Sequence, residues 1–271
     1  MAKFVWLASY PRSGNTWLRF ALSCLLAGKP MDHSAEVSRL IPDIHDGLRG
    51  DVLFGKKTTI IKTHWAFNTG LPLREDVVGV IHLVRNPLDV LVSNQNYAMT
   101  RSGALFNQAN GEERENIARK FADNYIGNGG HENFRSFGIG SWEEHTLSWL
   151  SPLNVTPKLL VRYEDLVAKP DQQLSAIARF LGLKRSDSEI VTACENSSVD
   201  MMRQLETREV EMRADGIFYQ SVNAAAYEAG QRLIVGGERK FDLTLEQQKR
   251  ATERFGPLMK RLGYKLERSD T

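Results

Sequence analysis

The chain is 271 residues long, 42% hydrophobic and 25% charged, which fits one sizeable globular domain and excludes two comfortable ones. Its 35 basic and 33 acidic side chains leave a net charge of +2, so a broad nucleic-acid footprint is excluded while a local phosphate site is not. Two cysteines, Cys24 and Cys194, exclude a disulfide framework and read as buried free thiols; with no apolar run long enough for a signal peptide or membrane span, a cytoplasmic protein is expected.

Residues 4–8 form a short apolar run, followed by Ser9-Tyr10-Pro11-Arg12-Ser13-Gly14, which has turn chemistry. Trp17, Leu18, Ala21, Leu22, Leu25 and Leu26 then recur at helical spacing until Gly28 and Pro30 stop the pattern. The β-branched stretch 58–61 predicts a buried strand with Lys62-Thr63-His64 at its C-terminal end. A second strand is predicted over 77–84, ending in Arg85-Asn86-Pro87 and continuing as a helix over 88–97. A third later strand is predicted at 159–161, closed by Arg162-Tyr163-Glu164-Asp165, with helices at 172–181 and 245–262. Strands alternating with helices predict an α/β fold over residues 1–271, with a central parallel sheet flanked by helices on both faces.

Two stretches break that rhythm. Residues 98–140 and 207–240 are polar and glycine-rich, and read as mobile insertions: lids or binding loops, with plain surface disorder as the alternative.

Aligned on Gly14, the segment from Ser9 to Thr16 falls in register with a phosphate loop, G-x-x-x-x-G-K-S/T, so the domain is P-loop-like. Ser9 replaces its first glycine, Asn15 its lysine, and the cation has moved back to Arg12. A P-loop lysine reaches the β- and γ-phosphates of a triphosphate; Asn15 cannot, which disfavours a kinase. Arg12, Ser13, Gly14 and Thr16 remain suited to one 5′-phosphate, and Trp17 offers an aromatic face for a base.

Tyr10-Pro11-Arg12-Ser13-Gly14-Asn15-Thr16-Trp17 resembles the 5′-phosphosulfate loop, Y-P-K-S/A-G-T-T-W, of sulfotransferases that use 3′-phosphoadenosine 5′-phosphosulfate (PAPS). Further segments resemble that family in its order. Arg85-Asn86-Pro87-Leu88-Asp89-Val90-Leu91-Val92-Ser93 matches R-N-P-x-D-x-x-x-S, which implies that Arg85 and Ser93 bind the donor's 3′-phosphate. Lys62-Thr63-His64 matches K-T-H, which implies His64 as the general base and Lys62, with Arg12, as cations for the departing phosphate. Gly140-Ser141-Trp142-Glu143-Glu144-His145 with Trp149 matches G-S-W-x-x-H-x-x-x-W and reads as a packed helix face rather than a catalytic one. Tyr163-Glu164-Asp165-Leu166 matches Y-E-D-L/M and implies Tyr163 near the 3′-phosphate and ribose. Ser197 and Val199 stand in a segment resembling T-S-F-x-x-M, which touches adenine, with Val199 where the family often has phenylalanine. Arg232 and Gly237 align with the R-K-G-x-x-G-x-W segment, although Leu233, Ile234 and Arg239 depart from it.

The resemblance implies a PAPS-dependent sulfotransferase of cytosolic type, with proportions similar to bacterial enzymes acting on natural products or carbohydrates. The expected donor site comprises Arg12, Ser13, Gly14, Asn15, Thr16, Trp17, Arg85, Ser93, Tyr163, Ser197, Val199, Arg232 and Gly237. No metal is expected, because no Cys/His cluster has ligand spacing. The expected partner is a small-molecule hydroxyl acceptor, with no nucleic acid and no membrane; the oligomeric state stays open, a homodimer included. Trp65, Phe67, Phe106, Phe134, Phe137, Phe218 and Tyr219 would suit an aromatic or lipophilic acceptor, whereas Arg101, Arg114 and Arg135 would suit an acidic one. Rival readings are a P-loop kinase, against which Asn15 speaks, and a non-catalytic nucleotide-binding protein, which would need neither Lys62 nor His64. Sulfation of an amine by the same core also stays open.

Overall fold

The computed structural model describes residues 3–47, 58–68, 70–72, 76–101, 109–151, 156–221, 233 and 241–266. Its first strand, β1 (Lys3–Ser9), is apolar on both sides of the pleat and buried along nearly its whole length. Val5 and Leu7 point to one face and Phe4, Trp6 and Ala8 to the other, so a period-2 strand feeds two cores at once. Beside it run β2 (Thr58–Thr63) and β3 (Val77–Val84), and β4 (Lys158–Arg162) pairs with β3, giving the order β2-β1-β3-β4. All pairings are parallel, with Leu7 opposite Lys62, Ser9 opposite Leu83 and Val84 opposite Arg162. That register gathers every C-terminal strand end at one edge. The chain leaves β1 toward β2 and leaves β3 toward β4, so the connection reverses between β1 and β3, the position at which open α/β sheets bind ligands.

One face is covered by α1 (Asn15–Ala27), α7 (Pro170–Phe180) and α8 (Asp187–Asn196). Leu18, Leu22 and Leu25 of α1 recur one turn apart and pack with Val5, Leu7, Leu174, Ile177 and Ile190. Gly28 ends α1 in the left-handed conformation, its N–H donating to the Cys24 carbonyl at 2.8 Å. Between α1 and β2 lies the short α2 (Ser34–Leu40). Flanking the other face are α3 (Pro87–Arg101), α4 (Gly111–Asn128), α5 (Trp142–Leu150) and, near the C-terminus, α11 (Leu245–Arg261). Leu88, Leu91, Tyr125, Ile126, Trp142, Phe255 and Met259 form their shared core. The rest of the described chain adds α6 (Tyr163–Ala168), α9 (Val199–Glu211) and α10 (Ile217–Ser221). The α/β fold with helices on both sheet faces is as expected.

The two glycine-rich stretches hold more regular structure than their composition suggests. Most of 109–140 is α4, whose start is fixed by a reciprocal cap: Asn110 Oδ1 accepts from the Glu113 N–H and Glu113 Oε2 from the Asn110 N–H. Gly111 and Gly129 sit at its ends, where glycine delimits a helix rather than dissolving it. Likewise α9 and α10 occupy much of 207–221, while 102–108 and nearly all of 222–240 lie outside the described residues. Cys24 is buried as expected, but Cys194 is only half-buried because α8 turns that edge toward solvent; burial pushes both thiols up to about 11. Among the described residues no helix is long and apolar enough to cross a membrane.

His82 of β3 and His145 of α5 meet in the buried layer with ring centroids 5.8 Å apart, beside Trp149 and Tyr10. None of their four ring nitrogens has a hydrogen-bond partner among the described residues, so both rings are neutral in the folded state. Burial, with Lys158 nearby, lowers His82 to about 3. Unfolded histidine titrates near 6.5, so below that pH the unfolded chain binds more protons than the folded one. Stability is therefore full above about 6.5 and drains away as pH falls toward 3. Melting at about pH 4.5 should come roughly 5–10 °C below melting at about pH 7.5 through this term, and His82→Leu should flatten the dependence. An unchanged acid dependence in that variant would refute the assignment.

Candidate active site

The turn after β1 carries two left-handed residues, Arg12 (φ 69°) and Gly14 (φ 92°). Arg12 is not a glycine, so its conformation is strained and is held by its contacts. Gly14 is the N-cap of α1, which has no side-chain cap and no acidic residue in its first turn. Its free amide donors and the positive end of its dipole are thus left for an anion. At Gly14 a methyl group would stand 2.4 Å from the Tyr163 ring, so both the φ angle and the space demand glycine.

Arg85 follows β3 and reaches across this loop, its Nη1 donating to the Arg12 carbonyl at 3.0 Å. Arg12 Nε donates to Ser93 Oγ of α3 at 3.2 Å, which brings Arg12, Arg85 and Ser93 together. Each guanidinium lies over a tyrosine ring, Arg12 on Tyr97 at 4.6 Å and Arg85 on Tyr163 at 4.4 Å. Neither has an ion-pair partner among the described residues, and Arg12 is held below its ordinary value by burial, with Arg85 adding repulsion. Glu164 keeps the Arg85 turn in place by accepting the Asn86 N–H at 2.8 Å. Ser13 Oγ, Asn15 Oδ1, Trp17 Nε1 and Arg85 Nε are buried and have no hydrogen-bond partner among the described residues. Two crowded cations, a bare helix end and orphaned polar atoms fit a phosphorylated ligand.

His64 lies just past β2. Its Nδ1 is 2.7 Å from the Ser9 carbonyl oxygen, which can only accept, so Nδ1 carries the proton and Nε2 a lone pair. Ser9 is itself fixed by Asn15, whose Nδ2 donates to Ser9 Oγ at 2.9 Å. Burial, then the Lys62 charge, push His64 well below 6.5, so the ring is a neutral base at physiological pH. Lys62 Nζ donates to Asp43 Oδ2 at 2.6 Å, because a cation this deeply buried needs a counter-ion. Among the described residues no group of three or more His, Cys, Asp or Glu could hold a metal ion.

Other expected residues are placed less directly. Thr16 is half-buried in the first turn of α1. Trp17 meets Tyr163 edge-on at 6.3 Å, bracing it from the α1 side. The Ser197 hydroxyl is fully buried and donates to the Ala193 carbonyl at 2.8 Å, tying off α8. Val199 begins α9 with its side chain exposed. Arg232 and Gly237 lie outside the described residues, as does Phe106. Phe218 belongs to the core, stacked on Phe20 at 5.4 Å, and Arg135 is paired with Glu144 at 2.6 Å. Trp65, next to His64, and the exposed Phe137 remain where an acceptor could meet them.

Sequence reading missed Ser9, Asp43, His45 and Tyr97. The polar run Pro42-Asp43-Ile44-His45-Asp46, two acids around a histidine before a strand, was the available signal for two of them. Tyr97 stands one helical turn after Ser93, on the same side of α3.

A family model described as Sulfotransferase domain matches residues 3–263. The chain belongs to this sulfotransferase family. Sulfotransferase 2A1 of Rattus norvegicus is 30% identical over 205 residues, 73% of this chain and 66% of that protein. Sulfotransferase 1A1 of the same species is 24% identical over 209 residues, again 73% of this chain and 66% of the relative. The chain thus spans just under two thirds of both rat proteins. Cytosolic sulfotransferase 3 of Arabidopsis thaliana is 25% identical over 246 residues, 89% and 71% of the two chains. Among solved structures, mouse sulfotransferase SULT7A1 complexed with PAP superposes with a TM-score of 0.60 at 20% identity, covering 95% of this chain and 84% of that one. Retinol dehydratase in complex with androsterone and inactive cofactor PAP gives 0.56 at 17% identity, covering 99% and 83%. At these identities the structural likeness is one of fold.

For this sulfotransferase-family loop, Gly14→Ala should destabilise the protein by on the order of 2 kcal/mol or more, from the left-handed penalty and the displaced Tyr163 ring. Thermal melting of the variant checks this. A melting point equal to that of the parent would show that Tyr163 does not hold the position described.

Proposed function

We propose that this protein transfers the sulfonate of PAPS to a hydroxyl of a small-molecule acceptor. The observation that carries the reading is the meeting, at one sheet edge, of two arginines with no ion-pair partner among the described residues and a neutral histidine whose Nδ1 is tied to Ser9. Binding of PAP by relatives of the same fold supports it.

When bound, PAPS supplies a sulfonate already activated by a phosphate leaving group. Arg85 and Ser93, stacked and bonded as described, hold its 3′-phosphate; Tyr163 and Trp17 flank the nucleoside, with Val199 as an aliphatic wall. Arg12, Ser13, Asn15, Thr16 and the first amides of α1 hold the 5′-phosphate. His64 Nε2 accepts the proton of the acceptor hydroxyl as that oxygen bonds to sulfur in line with the departing phosphate oxygen. Arg12 and Lys62 stabilise the charge that this oxygen gains. The carrier of the hydroxyl packs against Trp65, whose indole lies beside Gly138. Arg232 and Gly237 complete the donor site in this reading, which sets the enzyme in the cytoplasm.

Calorimetric titration with 3′-phosphoadenosine 5′-phosphate, against ADP and ATP, tests the donor class. Binding that requires the 3′-phosphate is expected, and a preference for ATP would return the kinase reading. Arg85→Ala should weaken that binding by about 10-fold to 100-fold while leaving the chemistry of bound donor largely intact. His64→Ala should do the opposite, lowering kcat by about 10²-fold with donor affinity retained. Because the His64 pKa lies well below 6.5, kcat should stay flat down to that pH and fall only in more acid solution. A profile that already falls through neutrality would exclude His64 as the base.

A further inference from the structure

We infer that Asp43 is a positioning residue for sulfonate transfer, its one carboxylate orienting both the Lys62 side chain and, through the turn that it caps, the backbone of His64. The inference rests on the reading of Lys62 and His64 as catalytic groups.

Asp43 lies outside the sheet but pairs with it. A single parallel bridge sets Asp43 opposite Lys62, and the Lys62 N–H donates to the Pro42 carbonyl at 2.9 Å. From that position the two carboxylate oxygens divide their work. Oδ2 accepts from Lys62 Nζ at 2.6 Å, with only 8% of the lysine side chain and 13% of the aspartate side chain exposed. Oδ1 accepts from the His45 N–H at 3.1 Å and caps the short 3₁₀ turn Ile44–Asp46. His45 then accepts the His64 N–H on its Nε2 at 2.9 Å. The His45 ring also lies 4.9 Å from the Trp65 ring, so the same turn lines the acceptor side of His64.

The segment is anchored from behind. Arg19 of α1 donates from Nη2 to the Ile41 carbonyl at 2.6 Å, and Ile41 and Ile44 are buried. A carboxylate that merely neutralised Lys62 would need no second arm. Here the second arm ends on His64, so a displacement of Asp43 reaches both groups that the reaction uses.

The titratable groups around Lys62 are Asp43, Asp46 and His45 on the turn, Arg19 on α1 and His64 just past its own strand. Burial first, and then Arg19, push Lys62 toward its neutral form, while Asp43 and Asp46 oppose them. With Asp43 made neutral, Lys62 loses its proton at lower pH. The alkaline limb of the rate profile then moves toward neutrality.

The test is single-turnover sulfonate transfer from saturating PAPS across pH, in the parent and in Asp43→Asn, Asp43→Glu, Lys62→Met and His64→Ala. Asp43→Asn should lose about 10²-fold in rate at neutral pH, as expected for a misplacement of about 1 Å, and its alkaline limb should move down by about one pH unit or more. Affinity for 3′-phosphoadenosine 5′-phosphate, which depends on Arg12 and Arg85, should stay within about 3-fold. Asp43→Glu keeps the charge but moves the oxygens, so its rate should fall with the alkaline limb in place; this variant decides the matter if Asp43→Asn does not fold. An Asp43→Asn rate profile superimposable on that of the parent, or an Asp43→Glu enzyme with the parent rate, overturns the inference. Full activity in Lys62→Met or His64→Ala overturns instead the reading on which it rests.

Discussion

The ring of Tyr163 lies so near Gly14 that a methyl group there would come within 2.4 Å of it. That contact locks the loop after β1 against the start of α6, which follows β4, with β3 lying between the two strands. On the same ring rests the Arg85 guanidinium, 4.4 Å from its centroid, and Trp17 meets it edge-on. One side chain therefore sets the spacing between the phosphate loop, the arginine after β3 and the first turn of α1. Any side chain at Gly14 would force the ring aside and carry Arg85 with it. The parallel register makes this triangle geometrically available, because Ser9, Val84 and Arg162 all end at one edge.

The same edge concentrates positive charge to an extent that folding alone would not favour. Arg12 and Arg85 stand close enough to repel, and Arg12 occupies a left-handed backbone conformation that costs about 1–3 kcal/mol for a non-glycine residue. Stacking on Tyr97 and Tyr163 offsets part of that cost without neutralising the charge, since a π face carries no formal charge to cancel the cation. Lys62, by contrast, is buried with a carboxylate already in place. The two classes of cation thus differ: the arginines lack a counter-ion among the described residues, and the lysine has one. An anionic ligand gains most from the first pair, whose charge no carboxylate among the described residues offsets.

Most of this arrangement was legible where chemistry is local in sequence. The turn residues 9–14, the strand-end Lys62-Thr63-His64 and the Arg85-Asn86-Pro87 turn each announce themselves in a few consecutive positions, and the parallel α/β sheet follows from their alternation with helices. Illegible were the partners that sequence distance hides. Asp43 lies 19 residues from Lys62, and Glu164 lies 78 from Asn86. The glycines of 98–140 misdirected in a different way, because a glycine at a helix end and a glycine in a loop look alike until Asn110 and Glu113 are seen to close the cap of α4. At Ser197 the motif did not announce that the hydroxyl donates to the Ala193 carbonyl one helical turn back.

His64 is held by two acceptors of different character. Its ring N–H donates to a main-chain carbonyl, Ser9, which cannot titrate, so the Nε2 lone pair persists at any pH at which the ring stays neutral. Its backbone N–H donates to a side chain, His45, which can accept only while that Nε2 is unprotonated. Burial and Lys62 both lower the His45 pKa, which keeps it an acceptor at neutral pH. Lys62 thus depresses the affinity for protons of both imidazoles, while its own proton is retained by Asp43. The cation proposed to stabilise a leaving phosphate is therefore also one that favours the neutral form of His64, the proposed base. Its pairing with Asp43 ties acid-side and alkaline-side behaviour to a single contact.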